Sequence, residues 1–276
     1  MSKIIDCKAI AAEIIAETDE LRKSLQTVPS VVVYLLSTDE ASANYAKNIE
    51  KDGKKLNFEV RIRSEKPDSF RASFDHANHD HETHCIMIQY PLPQEYDSAK
   101  ILSALDPKKD IDGLSDGNSL ALYQGRTGLF PSTPQAVLEI LRRVIKDPEG
   151  ESVTVIGRSR IVGLPLFHLL LSHNFTPTVC HSRTKNLPDL CKKSRIIVAA
   201  VGKARMIDER FLSAEQVLID VGTNFREGQW VGDFDFEQCL PACRLITPVP
   251  SGVGTVTRAV LYRNIVKAAL WQKNLI

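Results

Sequence analysis

The chain has 276 residues, and its 35 Lys and Arg residues against 34 Asp and Glu give a formal net charge of +1. This length has room for one large or two ordinary domains, and the balanced charge argues against a protein that binds nucleic acid or anionic lipid. There is no run of eighteen apolar residues, so the sequence predicts no membrane-spanning helix.

The start of the chain and its cysteines both predict a cytoplasmic protein. The first residues lack the basic-then-apolar layout of a secretory signal. The six cysteines are scattered, without a C-x-x-C pair, which is typical of reduced and mostly buried thiols.

In the first half of the chain, predicted helices and strands alternate. Apolar residues near helical spacing predict a helix from Cys7 to about Leu25. The apolar run Ser30–Leu36 is typical of a strand buried on both faces. There follow a helix over about 40–56, a strand over 58–62, a helix over 69–78 and a strand over 85–90. This alternation predicts a parallel, right-handed α/β layer.

The second half repeats the pattern with shorter elements. Four strands are predicted over 153–156, 177–180, 196–200 and 217–220, with an apolar helix over 162–171. They indicate a small, doubly wound, Rossmann-like parallel sheet. A last amphipathic helix, Thr257–Gln272, is expected to pack on the first domain. The predicted architecture is two α/β domains, 1–130 plus 250–276 and 131–249, with a ligand cleft between them.

A glycine loop opens the second predicted domain. Gly157–Gly163 directly follows a strand and precedes a helix, in the pattern G-x-S-x-x-x-G. Gly157 would permit the tight turn and Gly163 close packing of helix on strand, and the helix N-terminus would present N–H groups to a phosphate. A purely structural turn is the alternative, since such glycines are common in α/β folds.

The residues after the next predicted strand favour NADP over NAD. That position holds Ser182 and Arg183 but no acidic residue to bind a ribose 2′-hydroxyl, and Arg158 and Arg160 lie in the glycine loop. Basic residues there suit a 2′-phosphate. Each arginine taken alone is as well explained by solvent exposure.

Seven motifs occur in one order along nearly the whole chain. They are Ser42–Tyr45, Gln89–Pro93, Lys109–Gly113, Pro131–Pro134, Gly157–Gly163, Ile219–Asn224 and Thr247–Gly254. This ordered set resembles the bifunctional methylenetetrahydrofolate dehydrogenase/methenyltetrahydrofolate cyclohydrolase family. The resemblance implies an enzyme of one-carbon folate metabolism, with tetrahydrofolate derivatives as partners, NADP as cofactor and a homodimeric assembly.

The resemblance also assigns roles to single residues. It places Tyr45 near the pterin, Gln89 at the reaction centre and Asp112 where a carboxylate accepts the pterin's paired N–H groups, as it would those of Arg. It makes Pro250 and Gly252 part of a backbone wall against the folate. The cofactor contacts that it implies are Gly157, Arg158, Ser159, Ser182, Arg183 and Thr223, and no metal is expected.

One position departs from the family in a way that matters for chemistry. The family has Tyr-x-x-x-Lys on this helix, and here the lysine position is Ile49. Lys47 and Lys51 lie two residues to either side, about 200° around the helix, and cannot simply substitute. Hydride transfer needs mainly the positioning of two ligands, whereas hydrolysis needs proton movement. We therefore expect dehydrogenase activity, with cyclohydrolase activity weak or absent.

Two other interpretations stay open. Ser251 stands where the family has glycine and Ser132 where it often has cysteine, so a paralogue that binds folate or nucleotide without turnover is an alternative. A different two-domain dehydrogenase, resembling shikimate dehydrogenase, is disfavoured because its paired Lys/Asp signature is absent.

The segment from His76 to His84 holds four histidines but lacks a second ligand pair elsewhere. It is better interpreted as a hydrophilic surface turn than as a metal site.

Overall fold

The computed structural model of the chain describes residues 3–38 and 40–275, apart from the side chain of Ala41. It divides into two compact units. The five-stranded unit comprises Met1–Ile15 and Pro131–Val260, and the three-stranded unit comprises Ala16–Phe130 and Leu261–Ile276. These units are defined by how the chain packs, and not by what it binds. The predicted division into a folate-binding and an NADP-binding domain therefore stays a prediction, and so does the predicted cleft between those domains.

The three-stranded unit has the alternating order that the sequence predicts. Strand β1 (Ser30–Tyr34) is central and fully buried, and β2 (Glu59–Arg63) and β3 (Cys85–Ile88) pair with it in parallel. The connections are α2 (Glu40–Leu56) and α3 (Pro67–His79). Two short helices, α4 (Ser98–Ala104) and α5 (Asp116–Tyr123), were not predicted.

An aromatic cluster packs under this sheet. The ring of Tyr34 meets that of Phe70 edge-on at 5.2 Å, and Tyr96 meets Phe70 in the same way at 5.5 Å. All three side chains are buried. Edge-to-face contacts of this kind add to the stabilisation from burial, so the cluster fixes α3 against β1.

The five-stranded unit is a parallel sheet in the order β10-β7-β6-β4-β5. Its strands are β4 (Ser152–Ile156), β5 (Thr176–Cys180), β6 (Ile196–Ala199), β7 (Val217–Asp220) and β10 (Leu245–Ile246), and its helices are α6 (Ser132–Val144), α7 (Gly163–Ser172), α8 (Leu187–Lys193) and α9 (Phe236–Ala242). Counted along the chain the strand order is 2-1-3-4-5, so the winding direction reverses between β4 and β6. The predicted Rossmann-like fold is confirmed, with a fifth strand that is too short to give a sequence signal.

A β-hairpin between β7 and α9 was also missed. Strands β8 (Asn224–Arg226) and β9 (Gln229–Val231) pair antiparallel through a two-residue turn. Both turn residues, Glu227 and Gly228, have positive φ, as the favoured hairpin turns require. The Glu-Gly dipeptide is a weaker signal than Asn-Gly, and the flanking strands have only three residues each.

The terminal helix forms as predicted but differs in character. Helix α10 (Val253–Gln272) is buried on nearly all sides rather than amphipathic. Its residues from Leu261 belong to the three-stranded unit, and the preceding ones belong to the five-stranded unit. The buried Asn264 donates through Nδ2 to the carbonyl oxygens of Ile111 (3.0 Å) and Phe130 (2.9 Å). A helix with few exposed residues has no polar face to reveal its orientation in the sequence.

The six cysteines and one of the clustered histidines are buried. All six cysteines are free and buried, as predicted, and burial raises the pKa of the Cys7 thiol to about 12. The segment His76–His84 is not wholly a surface turn, because His84 is buried and its Nδ1 accepts the Ser30 N–H at 3.2 Å.

Within residues 3–38 and 40–275, no helix is long and apolar enough to cross a membrane.

The turn before α10 supports a prediction about stability. Ser251 is exposed and has φ of +70°, in the left-handed region that favours glycine. We expect Ser251→Gly to raise the free energy of unfolding by about 0.5–1 kcal/mol, because glycine adopts this conformation without strain from Cβ. Ser251→Ala is the matched control, since it keeps Cβ and should give no gain. Urea unfolding monitored by circular dichroism compares the three proteins, and equal midpoints would contradict the prediction.

Candidate functional site

The glycine loop lies at the carboxyl end of β4, beside the reversal in winding direction. Gly157 has φ of +133°, and a Cβ at this residue would lie 2.3 Å from the carbonyl oxygen of Ala200. A Cβ at Gly163 would lie 2.1 Å from the carbonyl oxygen of Gly157. Neither position has room for a side chain, so both glycines are needed for the tight turn and the close helix that the sequence predicted.

Ser159 caps the helix that follows this loop. Its Oγ accepts the N–H groups of Val162 at 3.1 Å and Gly163 at 3.4 Å. Arg158 and Arg160, on either side of Ser159, are exposed. The loop therefore presents backbone and cationic side chains to solvent at the positive end of α7, an arrangement that binds anions such as phosphate.

The loop after β5 is held by its own hydrogen bonds. The N–H of His181 donates to Thr184 Oγ1 at 2.9 Å, and the N–H of Arg183 donates to His181 Nδ1 at 3.1 Å. Ser182 and Arg183 are exposed at its tip. Because the N–H of Gly157 donates to the carbonyl of Cys180 at 2.9 Å, this loop and the glycine loop leave the sheet side by side.

Two further loops leave the same edge of the sheet. Thr223 is exposed in the loop after β7, at the start of the hairpin. The loop after β6 contains Gly202 and Lys203, which were not among the predicted cofactor contacts. A Gly-Lys pair three residues after the end of a buried strand was the signal that could have predicted this loop.

In the three-stranded unit, α2 carries Tyr45 and the position of the missing lysine. Tyr45 is 38% exposed, whereas Ile49, one turn later, is 4% exposed. Lys47 and Lys51 are both exposed, away from the buried face that holds Ile49. Neither lysine replaces an amine at residue 49 in this structure, in agreement with the helical geometry argued from the sequence.

Gln89 and Asp112 follow neighbouring parallel segments. A parallel bridge joins Ile86 to Asp110, so the residues after β3 and those after Asp110 emerge at the same edge of the sheet. Gln89 is partly buried, and its N–H donates to the carbonyl of Tyr34 at 2.9 Å. Ser42 Oγ donates to the carbonyl of Tyr90 at 3.3 Å, which ties the first turn of α2 to this edge. The structure therefore brings together the elements that carry Tyr45, Gln89 and Asp112.

The two carboxyl groups of the Asp110–Asp112 segment have different surroundings. Asp110 is buried and its Oδ2 accepts the Ser115 N–H at 2.7 Å and Asn118 Nδ2 at 3.0 Å. Burial, together with the negative charge of Asp110, raises the pKa of Asp112 to about 8. Asp110 thus organises the turn, while Asp112 is a carboxyl group that changes protonation state near neutral pH.

The other two residues predicted to contact the folate belong to the five-stranded unit. Pro250 and Gly252 lie in the turn before α10, within the five-stranded unit. A Cβ at Gly252 would lie 1.9 Å from the carbonyl oxygen of Pro248, so this turn needs glycine there. The five predicted folate contacts are consequently divided between the two units.

Comparisons with known proteins agree with these features. Residues 5–112 match the family model described as the tetrahydrofolate dehydrogenase/cyclohydrolase catalytic domain, and residues 131–273 match its NAD(P)-binding domain. The chain is 37% identical to the bifunctional protein FolD of Clostridium beijerinckii over 278 residues, which cover 97% of this chain and 98% of the relative.

Solved structures give the same result. The bifunctional 5,10-methylenetetrahydrofolate dehydrogenase/cyclohydrolase of Thermoplasma acidophilum superimposes with a TM-score of 0.93 at 33% identity, covering 99% of this chain and 100% of that one. The Trypanosoma brucei enzyme, solved with NADP and an inhibitor, gives 0.86 at 29% identity, covering 97% of each chain. The predicted nicotinamide cofactor is confirmed by the NAD(P)-binding domain. The chain belongs to the tetrahydrofolate dehydrogenase/cyclohydrolase family.

Proposed function

We propose that this protein oxidises 5,10-methylenetetrahydrofolate to the 5,10-methenyl form with NADP, and that its cyclohydrolase activity is weak or absent. The observation that carries the division between the two activities is Ile49, a buried aliphatic side chain one turn after Tyr45. Hydride transfer depends on the positioning of two ligands, and residues that suit a dinucleotide and a folate support this part of the proposal. Hydrolysis also needs a group that moves a proton, and residue 49 has none.

The five-stranded unit would bind the cofactor, which supplies the hydride acceptor when bound. The glycine loop and the N-terminus of α7 fit the diphosphate, because Gly157 and Gly163 leave a backbone-lined turn that a Cβ would fill. Ser182 and Arg183 fit a 2′-phosphate, and the turn that presents them is fixed by the hydrogen bonds of His181. The solved NADP complex of a relative supports the same choice of cofactor.

The three-stranded unit would bind the folate head group. Asp112 would offer two carboxylate oxygens to the paired N–H groups of the pterin. Two observations support a shared site: Gln89 emerges at the same sheet edge, and the first turn of α2, the helix that carries Tyr45, is tied to that edge. The family resemblance also assigns folate contacts to Pro250 and Gly252 of the five-stranded unit. A homodimeric assembly and a cytoplasmic location are part of this proposal and come from the family resemblance.

A substitution at residue 49 tests the proposed loss of hydrolysis. We expect Ile49→Lys to accelerate the conversion of methenyl- to formyltetrahydrofolate by at least about tenfold, because a general acid or base contributes about 10²–10⁴ in rate. Burial would lower the pKa of the new amine and so favour its neutral form. Ile49→Met, of similar length but without an amine, is the matched control.

The measurement is a time course with methylenetetrahydrofolate and NADP that follows NADPH and both folate products separately. In the wild-type protein, NADPH should form while the methenyl product hydrolyses no faster than in buffer. Faster hydrolysis by the wild-type protein would contradict the proposal. Binding of both ligands without NADPH formation would instead indicate a non-catalytic paralogue.

Cofactor choice is tested at the tip of the loop after β5. We expect Arg183→Ala to raise KM for NADP by about tenfold or more and to leave KM for NAD nearly unchanged, since a charge-assisted hydrogen bond contributes about 1.5–3 kcal/mol. Lys185→Ala removes the same charge from the same exposed loop without touching the predicted contact, and is the control. Equal effects of the two substitutions on KM for NADP would mean that the total positive charge of the loop, and not a contact made by Arg183, favours NADP.

The protonation of Asp112 predicts a pH dependence of stability. Its pKa is about 8 in the folded protein against about 3.9 for an unperturbed Asp, so folding favours the neutral form. The neutral carboxyl group therefore contributes to the free energy of unfolding. This contribution is complete below about pH 4 and is lost as the pH rises toward 8. The Tm of Asp112→Asn relative to the wild-type protein should therefore increase between pH 4 and pH 8.

The affinity for folate should rise with pH over the same range in which the stability of the wild-type protein falls. Two N–H donors need a deprotonated carboxyl group, so the affinity of the wild-type protein for tetrahydrofolate should rise with pH up to about 8. Calorimetric titration at several pH values measures this affinity. The exposed Asp116→Asn is the control for both experiments. A difference in Tm that does not change with pH would show that the pKa of Asp112 is not raised in the folded protein.

A further inference from the structure

The chain that leaves β6 forms one side of the reversal point in the five-stranded sheet. The N–H of Ala200 donates to the carbonyl of Ile156 at 2.8 Å, so β6 stays paired with β4 up to the glycine loop. The next residues, Val201–Lys203, form a loop directly beside that turn. In doubly wound sheets, ligands bind outside the carboxyl ends of the strands at such a reversal.

A buried carboxylate holds this loop from inside the protein. Asp233 is 0% exposed, and its Oδ2 accepts the N–H groups of Val201 at 2.7 Å and Gly202 at 3.0 Å. Its Oδ1 accepts the N–H of Lys203 at 2.8 Å and the Asn224 amide at 3.1 Å. Successive N–H groups that converge on one anion form a nest, here filled by the protein's own side chain.

A second carboxylate fixes the first. Asp220, at the end of β7, accepts the N–H groups of Asp233 at 2.9 Å and Phe234 at 3.0 Å. Both acids are closely covered by backbone. A Cβ at Gly222 would lie 2.2 Å from Asp233 Oδ1, and one at Gly232 would lie 1.8 Å from Asp220 Oδ2. The loops after β6 and β7 are thus locked together through two interior side chains.

We propose that Asp233 is a positioning residue for the dinucleotide: it fixes the loop Val201–Lys203 in its binding shape before the cofactor arrives. This proposal rests on the proposed function, since it takes the reversal point as the cofactor site. An ordered loop binds a ligand more tightly than a mobile one, because the entropy of ordering is not lost on binding. The amides of Val201, Gly202 and Lys203 are used by Asp233, so the cofactor's phosphates are left to the glycine loop.

Asp233→Asn tests the proposal with little change in size. An amide has one acceptor oxygen in place of two, and its NH₂ group would face N–H donors. We expect faster hydrogen–deuterium exchange of the amides of Val201, Gly202 and Lys203 in the protein without cofactor. Titration of NADPH fluorescence should show affinity weaker by about tenfold or more, with kcat at saturating NADP changed by less than about threefold.

Asp235→Asn is the matched control. Asp235 lies two residues away and caps α9 by accepting the Gln238 N–H at 3.3 Å. Asparagine is an equally good cap, so this substitution removes the same charge without releasing the loop. It should leave both loop exchange and NADPH affinity unchanged. If Asp233→Asn behaves like this control, the proposal is wrong.

Two further outcomes are decisive. If Asp233→Asn does not fold, Asn224→Ala removes one donor to the same carboxylate, and it should loosen the same three amides and weaken NADPH binding about two- to threefold. No change in either quantity overturns the proposal. A wild-type protein that does not bind NADPH would refute the proposed function instead, while loop exchange would still report whether Asp233 holds the loop.

Discussion

The five-stranded unit depends on the approach of Gly157 to the carbonyl oxygen of Ala200. This approach brings the turn after β4 against the chain leaving β6, at the point where the winding of the sheet reverses. A side chain at residue 157 would separate them. The glycine loop, the start of α7 and the loop after β6 therefore take their places from one contact between backbone groups, and the surrounding polar side chains serve to hold it.

Buried carboxyl groups perform similar structural tasks in both units. Asp110 accepts the N–H groups of the turn that precedes α5, and Asp233 accepts those of the loop after β6. In each case an acid beneath the surface satisfies backbone donors that would otherwise be costly to bury. Each turn is thereby fixed from the inside, which leaves its outer face available for a ligand.

Asp112 differs because its desolvated carboxyl accepts no such hydrogen bonds in the part of the chain that the structure describes. Its carboxyl is desolvated beside the charge of Asp110, and its pKa is raised to about 8. The proposed folate ligand, with two N–H groups, would supply such donors. Asp112→Asn is therefore expected to stabilise the unliganded protein and to abolish folate binding. Stability and function often conflict in this way at a binding site. Ile49 shows the reverse case: its buried aliphatic side chain stabilises the fold at a position where the family resemblance predicts a lysine.

The sequence by itself determined the alternation of strands and helices, the Rossmann-like character of the second half, the two glycines of the loop and the family. These properties are local or follow from residue order, as with the apolar run of β1 and the pattern Gly157–Gly163. The tertiary structure alone decided that α10 is buried on nearly all sides, that β10 completes the sheet, and that Asp233 reaches back thirty-two residues to Val201. Hydrogen bonds and burial between distant segments leave no periodicity in the chain, because their partners are set by how the elements pack.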